Sequence, residues 1–184
     1  MNSRFLAVVL FVLLFCASVE AVVAADCKQS DIIVADRAKF FPTIRRALAV
    51  IDDAGLIGLA MPFREGSSVT EFAGQVARHQ PKLLVAHFSM FAPGSSQRGA
   101  LLSAFFAAQQ ANEPPPLHFV VYSSSIGPQG HSLRSLRALG FFEAIGDDQI
   151  TLIHVPNGQR FLPGRGDVEL RAILNALREQ GMCE

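Results

Sequence analysis

The sequence predicts an α/β domain, a three-layer sandwich whose central sheet has five parallel strands in the order 2-1-3-4-5. Short apolar runs of strand length alternate with amphipathic helical patterns along the chain. The runs are apolar throughout, which is typical of parallel strands covered by helices on both faces. The chain has 184 residues, and half of them are hydrophobic. This is enough for one domain with a substantial core.

Each predicted strand is a short apolar run bounded by turn residues. The strands are predicted over 31–36, 56–61, 82–88, 117–122 and 149–155. Polar turns are expected over 62–68 and 123–130. The triple proline at 114–116 excludes a helix immediately before the fourth strand, because proline lacks the backbone N–H and restricts the residue before it.

The segments after the strands carry apolar residues at helical spacing. The first helix is predicted to begin near Pro42, to present Ile44, Leu48 and Ile51 on one face, and to end at Gly55. Further helices are predicted over 69–79, 96–111, 132–144 and 167–180. We expect these helices to form the right-handed crossovers that connect parallel strands.

Residues 1–25 have the features of a secretory signal peptide, with Arg4 before an apolar run and small residues at the expected cleavage site. We therefore expect a single domain over 26–184 that is exported, to the periplasm or the cell exterior. No later run has the ~20 uninterrupted apolar residues of a membrane span. Retention of the leader as an anchor is the alternative, although Phe15 before Cys16 is too bulky for a usual lipobox.

Cleavage would leave Cys27 and Cys183 as an even pair in an exported protein, where thiols are expected to oxidise. In the predicted strand order the first strand and the last helix are neighbours. Both cysteines would then lie at the edge where the strands begin, so we expect a disulfide between them. Two such distant thiols do not form a metal-binding motif.

Composition excludes several functions. Lys and Arg total 16 against 16 Asp and Glu, without a basic block, so nucleic acid is not an expected partner. The turn over 37–42 contains no glycine, and neither G-x-G-x-x-G nor a P-loop occurs, so no nucleotide, flavin or other cofactor is expected. A protein or small-molecule partner is expected, but the sequence does not identify it.

Polar residues cluster at the predicted carboxyl ends of the strands, where ligands bind open parallel sheets. The expected crevice residues are Asp36, Arg37, His87, Ser89, Ser123, Ser124 and His154, with the 62–65 turn beside them. Each also fits an ordinary role, as a strand-closing imidazole, a helix-capping serine or a surface ion pair.

Two kinds of chemistry can be written for these residues. Ser123 or Ser89 as nucleophile, His87 as base and Asp36 as orienting group would make a hydrolase, although no G-x-S-x-G motif is present. Asp36, His87 and His154 are a ligand set that suits zinc. Because strand five lies two places from strand three and no close histidine spacing occurs, no metal is expected.

The five βα units, with Pro81-Lys82-Leu83-Leu84-Val85 leading into the third strand, resemble the receiver domain of two-component response regulators over about residues 31–180. The resemblance implies a flavodoxin-like scaffold. It places Asp36 in the acidic pocket, His87 at the phospho-accepting position, Ser123 at the hydroxyl position, and Val155 before Pro156 where a receiver has lysine.

These departures imply a degenerate receiver site. A receiver binds a divalent cation through several carboxylates, and one aspartate without the lysine does not supply that oxygen shell. We therefore expect an exported binding or interaction module, related to signalling by its fold, that does not switch through an aspartyl phosphate. The Ser/His hydrolase is the alternative, and the sequence favours a protein that is not an enzyme.

Overall fold

The computed structural model describes residues 31–64, 68–91, 118–127, 130–143 and 145–180. These residues form a five-stranded parallel sheet in the order β2-β1-β3-β4-β5. The strands are β1 (Ile32–Arg37), β2 (Leu59–Phe63), β3 (Leu83–His87), β4 (His118–Ser123) and β5 (Ile150–His154). The predicted fold class and strand order are confirmed, and the architecture is that of a flavodoxin-like α/β protein.

Helices follow the strands. They are α1 (Phe41–Asp53), α2 (Val69–His79), α3 (Leu133–Ala138) and α4 (Asp167–Glu179), with 3₁₀ turns at Ala38–Phe40, Phe88–Phe91 and Asp147–Gln149. Among the described residues, no helix has the length and hydropathy needed to cross a bilayer. The predicted leader 1–25, the predicted helix 96–111 and both Cys27 and Cys183 lie outside the described residues.

The sheet is buried on both faces, as its apolar strands predict. Ile32 and Val34 of β1 belong to a core cluster that includes Ile44 of α1 and Leu170 of α4. We call this side the α1/α4 face. Ile33, the residue between the first two, belongs to a second cluster with Phe72 and Val76 of α2 and Leu136 of α3. We call this side the α2/α3 face, and successive strand residues alternate between the two.

The second strand lies later in the chain than its predicted range of 56–61, because β2 covers Leu59–Phe63. Pro62, predicted to begin the following turn, is a strand residue that pairs with Asp36 of β1. β2 is at one end of the strand order. An edge position tolerates proline because one side of the strand needs no ladder N–H.

The fourth predicted helix is shorter than its expected range. The apolar spacing predicts a helix over 132–144, whereas α3 covers Leu133–Ala138. The N–H groups of Gly140 and Phe141 donate to carbonyls of the last turn at 2.9 and 3.0 Å, and Gly140 has a φ of +79°. This is the Schellman arrangement, in which a left-handed glycine ends a helix. The chain after it buries Phe141 and Phe142 in the α2/α3 core.

Candidate functional site

Asp36 lies near the carboxyl end of β1 with its side chain fully buried. The Tyr122 hydroxyl donates to its Oδ2 at 2.6 Å, and the backbone N–H of Arg37 donates to its Oδ1 at 2.7 Å. Arg160 Nη1 lies 3.9 Å from Oδ2, which is an ion pair beyond hydrogen-bond distance. Both oxygens of this carboxylate are therefore engaged by protein groups.

The sheet register brings these side chains together. Ala35 pairs with Ala86, so Asp36 is level with His87, and His87 itself pairs with Tyr122. Because side chains alternate along each strand, the three polar groups share the α1/α4 face with the buried residues two positions before them. The loop after β5 and the turn after β1 complete the group. We call it the Asp36 cluster: Asp36, Phe40, His87, Tyr122 and Arg160.

Arg160 is the cation of this cluster, and its side chain is only 11% exposed. Its guanidinium carbon lies 5.0 Å from the centre of the Phe40 ring, a cation–π contact. Nη2 donates to Asn157 Oδ1 at 3.3 Å, and the carbonyl of Arg160 accepts from Arg46 Nη1 at 3.5 Å. Arg160 is thus held on the sheet edge by the aromatic ring, by its own loop and by α1.

His87 is 8% exposed, and its ring lies 5.3 Å from that of Tyr122 and 6.2 Å from that of Phe40. Its Nδ1 accepts the backbone N–H of Ser89 at 3.2 Å and contacts the Ser89 hydroxyl at 2.8 Å. A backbone N–H only donates, so the neutral ring carries its proton on Nε2. Burial, and then the positive charges of Arg160 and Arg37, lower the pKa of His87 to about 3.

Burial also governs the other two titratable groups. It raises the pKa of the Asp36 carboxyl, while the Tyr122 hydrogen bond, the Arg37 N–H and the charges of Arg160 and Arg37 oppose that rise. The pKa of Tyr122 is raised by burial and by the adjacent Asp36 charge. The tyrosine therefore remains a hydrogen-bond donor at ordinary pH.

Several buried N–H groups around Asp36 lack an acceptor among the described residues. Within the Asp36 cluster they are Nε2 of His87 and Nε and Nη1 of Arg160. Nε of Arg37 is unpaired in the same way, but strand alternation places this residue on the α2/α3 face with its partner Phe63. Buried polar atoms in proteins are nearly always paired, so such a concentration of unused donors is unusual. The cluster is rich in donors and positive charge, with a single carboxylate.

The remaining predicted crevice residues lie on the α2/α3 face or in the turns. Ser123 follows Tyr122 in β4, so it points to the face opposite His87. It pairs with His154, whose Nδ1 contacts the carbonyl of Ile126. Ser123 Oγ accepts the N–H of Ser125 at 3.1 Å, as in an ordinary turn. The sheet therefore separates Ser123 from His87 and Asp36.

Of the two predicted nucleophiles, Ser89 lies in contact with His87 and Ser123 does not. Ser124 is half-buried in the turn after β4. The zinc set is divided in the same way, since Asp36 and His87 share one face and His154 lies on the other. Within the described ranges, no three His, Cys, Asp or Glu side chains are grouped so that they could hold a metal ion.

Sequence reasoning did not identify Phe40, Tyr122 or Arg160 as site residues. Tyr122 is the only tyrosine of the chain and lies in an apolar run, so it resembled a core residue. Strand periodicity carries a usable signal, because residues 34, 36, 85, 87, 120 and 122 share one face by alternation. Arg160 lies in an irregular loop, where periodicity gives no information about position.

The likeness to proteins already known is slight. No family model matches the chain, and no curated protein matches it. Among solved structures, the crystal structure of a diflavin flavoprotein A3 from Nostoc sp. is similar, with 15% sequence identity and a TM-score of 0.44. The match covers 82% of this chain and 96% of that chain. The flavodoxin-like fold follows from the strand order of the chain itself.

Proposed function

We propose that this chain is a binding module with a receiver-like fold that works without an aspartyl phosphate. The observation that carries this proposal is the state of Asp36, whose two oxygens accept hydrogen bonds from Tyr122 and from the Arg37 backbone. A receiver-type phosphoryl transfer needs a carboxylate open to the donor and a divalent cation held by further carboxylates. The phospho-accepting position holds His87, so Asp36 is the one carboxylate of the cluster that could take either role. Asp36 is buried, and its charged neighbours are arginines.

Incubation with acetyl phosphate and Mg²⁺, followed by denaturing intact-mass measurement, tests this proposal. We expect no addition of a phosphoryl group to the wild-type chain. Asp36→Asn is the matched control, because it removes the carboxylate while keeping a side chain of the same shape. A phosphoryl adduct that the wild type forms and Asp36→Asn does not would overturn the proposal.

We also propose that the module is exported after removal of residues 1–25. The charged and apolar pattern of the leader supports this, together with the even cysteine pair that would remain. Amino-terminal sequencing of the protein recovered from an expressing bacterium tests it. A start at Asp26 in the periplasmic or secreted fraction is expected, whereas an intact Met1 in the cytoplasm would contradict export.

The hydrolase is the second candidate, and the 2.8 Å contact between Ser89 Oγ and His87 Nδ1 favours it. Against it, a pKa of about 3 makes His87 a weak base near neutral pH. Asp36 binds Tyr122 rather than orienting the imidazole. A fluorophosphonate probe separates the two functions. Labelling that Ser89→Ala abolishes and Ser125→Ala retains would establish the hydrolase, and we expect no labelling.

A further inference from the structure

We propose that the Asp36 cluster binds a phosphate-type dianion, held by Nε2 of His87 and the unused N–H groups of Arg160 beneath the Phe40 ring. This inference rests on the proposed binding function and specifies the ligand chemistry of the same site. Free phosphate and the phosphoryl group of a small molecule share that chemistry.

Hydrogen-bonding capacity is the first argument. His87 Nε2 and Arg160 Nε and Nη1 are buried and have no acceptor within the described parts of the chain. The acceptors of the cluster are already used, because Ser89 engages His87 Nδ1 and the Tyr122 hydroxyl and Arg37 N–H engage Asp36. What the cluster offers a ligand is therefore donors, and the ligand that satisfies them must carry acceptor oxygens. A metal cation does not fit this arrangement.

Charge is the second argument. Arg37 and Arg160 both lie close enough to His87 to lower its pKa by their charge. The ammonium of Lys39 lies 5.3 Å from the centre of the Phe40 ring, whose contacts also include Arg160. Arg37 alternates with Asp36 and pairs with Phe63, which places it on the α2/α3 face, but its charge still acts on His87. The charges of Arg37, Arg160 and Lys39 therefore exceed the single negative charge of Asp36 at this edge. A dianion such as phosphate neutralises this excess of positive charge more fully than a carboxylate does. Its hydrogen bonds to arginine are charge-assisted and therefore stronger than neutral ones.

Access to the donors is through Phe40. This residue is half-buried at the end of the 3₁₀ turn Ala38–Phe40. Its ring centre lies 5.0 Å from the Arg160 guanidinium carbon and 6.2 Å from the His87 ring centre. Lys39 beside it is exposed, so its charge is available to an anion that approaches from solvent. Rotation of the half-buried Phe40 side chain, which lies outside the sheet, would uncover the donors.

Titration of the full-length protein with inorganic phosphate tests the proposal, with the Nε2–H resonance of His87 followed by NMR and affinity measured by calorimetry. We expect saturable binding that shifts this resonance. Arg160→Gln should weaken binding about tenfold, the effect of losing one charge-assisted hydrogen bond. Arg134→Gln is the matched control, because it removes an exposed arginine of α3 on the opposite face, and it should bind as the wild type does.

Other variants and ligands keep the test decisive. Lys39→Gln, an exposed substitution that leaves the core intact, should weaken binding about twofold, and it serves if Arg160→Gln does not fold. Glycerol 3-phosphate distinguishes the sources: tighter binding than phosphate assigns the site to a phosphorylated small molecule, and weaker binding assigns it to the free ion. Phe40→Ala should favour the ester, since the bulkier ligand needs the ring displaced.

Three results would overturn the anion site. They are an unmoved His87 resonance with both phosphate and the ester, acetate binding as tightly as phosphate at equal ionic strength, or undiminished affinity in folded Arg160→Gln. A buried water as the sole partner of these N–H groups would give the first result. None of these outcomes bears on phosphoryl transfer to Asp36, which the intact-mass experiment decides, so the two proposals fail separately.

Discussion

Asp36 illustrates how one residue determines what a sheet edge can do. Moving a carboxylate out of water costs several kcal/mol unless hydrogen bonds and charges compensate. Here the compensation comes from Tyr122, from the Arg37 N–H and from Arg160. The same contacts that stabilise the buried charge also occupy both of its oxygens.

Replacing Tyr122 by phenylalanine isolates the hydrogen bond at the centre of this network. We expect the free energy of unfolding to fall by about 1.5 to 3 kcal/mol, because a buried carboxylate loses a donor while the ring contacts with His87 and Phe161 remain. Urea denaturation measures the change. In the Asp36→Asn background the same substitution should cost clearly less, and equal costs in both backgrounds would show that the hydrogen bond is not the cause.

His87 should make the protein less stable in mild acid. Its pKa is about 3 in the folded protein and 6.5 when unperturbed, so between these values the unfolded chain binds a proton that the folded chain does not. Stability from this group is therefore full above pH 6.5 and is lost as the pH falls. From about pH 7 to about pH 5 the loss is about 2 kcal/mol.

The His87→Gln variant identifies this contribution, because the pKa of His118 is also lowered by burial and adds to the wild-type pH dependence. Asp36 acts in the opposite direction near its own titration, since its pKa is raised. Urea unfolding at several pH values above 5 should give a smaller slope in His87→Gln than in the wild type. Identical slopes, or a His87 ring that titrates near pH 6.5 by NMR, would contradict a buried neutral imidazole.

Among the elements, α3 shows how a single backbone conformation sets a helix end. Gly140 has a φ of +79°, and a Cβ added there would meet only Glu143 Oε1, at 3.7 Å. Gly140→Ala should therefore destabilise the fold by about 1 kcal/mol through backbone strain alone. Gly74→Ala, inside α2 with open space around its Cβ, should stabilise it by a similar amount. Thermal unfolding measures the stability of both variants. Equal changes in the two would show that the left-handed conformation of Gly140 does not determine the helix end.

The elements also show why some boundaries were predicted and others were not. The first helix was placed closely because Pro42, Gly55 and a regular apolar spacing agree there. The second helix, α2, has the bounds that its helical spacing predicts. The predicted fourth helix ran past Gly140 because Phe141 and Phe142 fit its helical spacing. Both rings instead pack in the α2/α3 core from an irregular segment. Proline favours turns, so the sequence predicts a turn at Pro62. That β2 is an edge strand, where proline is tolerated, depends on the assembled sheet and is not visible in the sequence.

At the scale of the molecule, strand order was predictable because it follows from apolar runs and from the rules of parallel connections. The composition of the site was only partly predictable. Parallel strands do bring Asp36 and His87 to one edge, but alternation sends Ser123 and His154 to the other face. Arg160 reaches Asp36 across 124 positions of sequence, and only the packed loop brings the two together.

The whole chain also offers a test at the opposite edge, where the strands begin. Arg178, near the end of α4, donates to the carbonyl of Ala54 after α1, so α4 ends at that edge. This placement favours the proposed disulfide between Cys27 and Cys183. Such a bond would close nearly the whole of residues 26–184 and contribute about 4 to 5 kcal/mol by restricting the unfolded state. Cys183→Ser should lower the unfolding free energy by that amount, and reductant should do the same to the wild type alone. Two free thiols in the native exported protein, counted under non-reducing conditions, would rule the bond out.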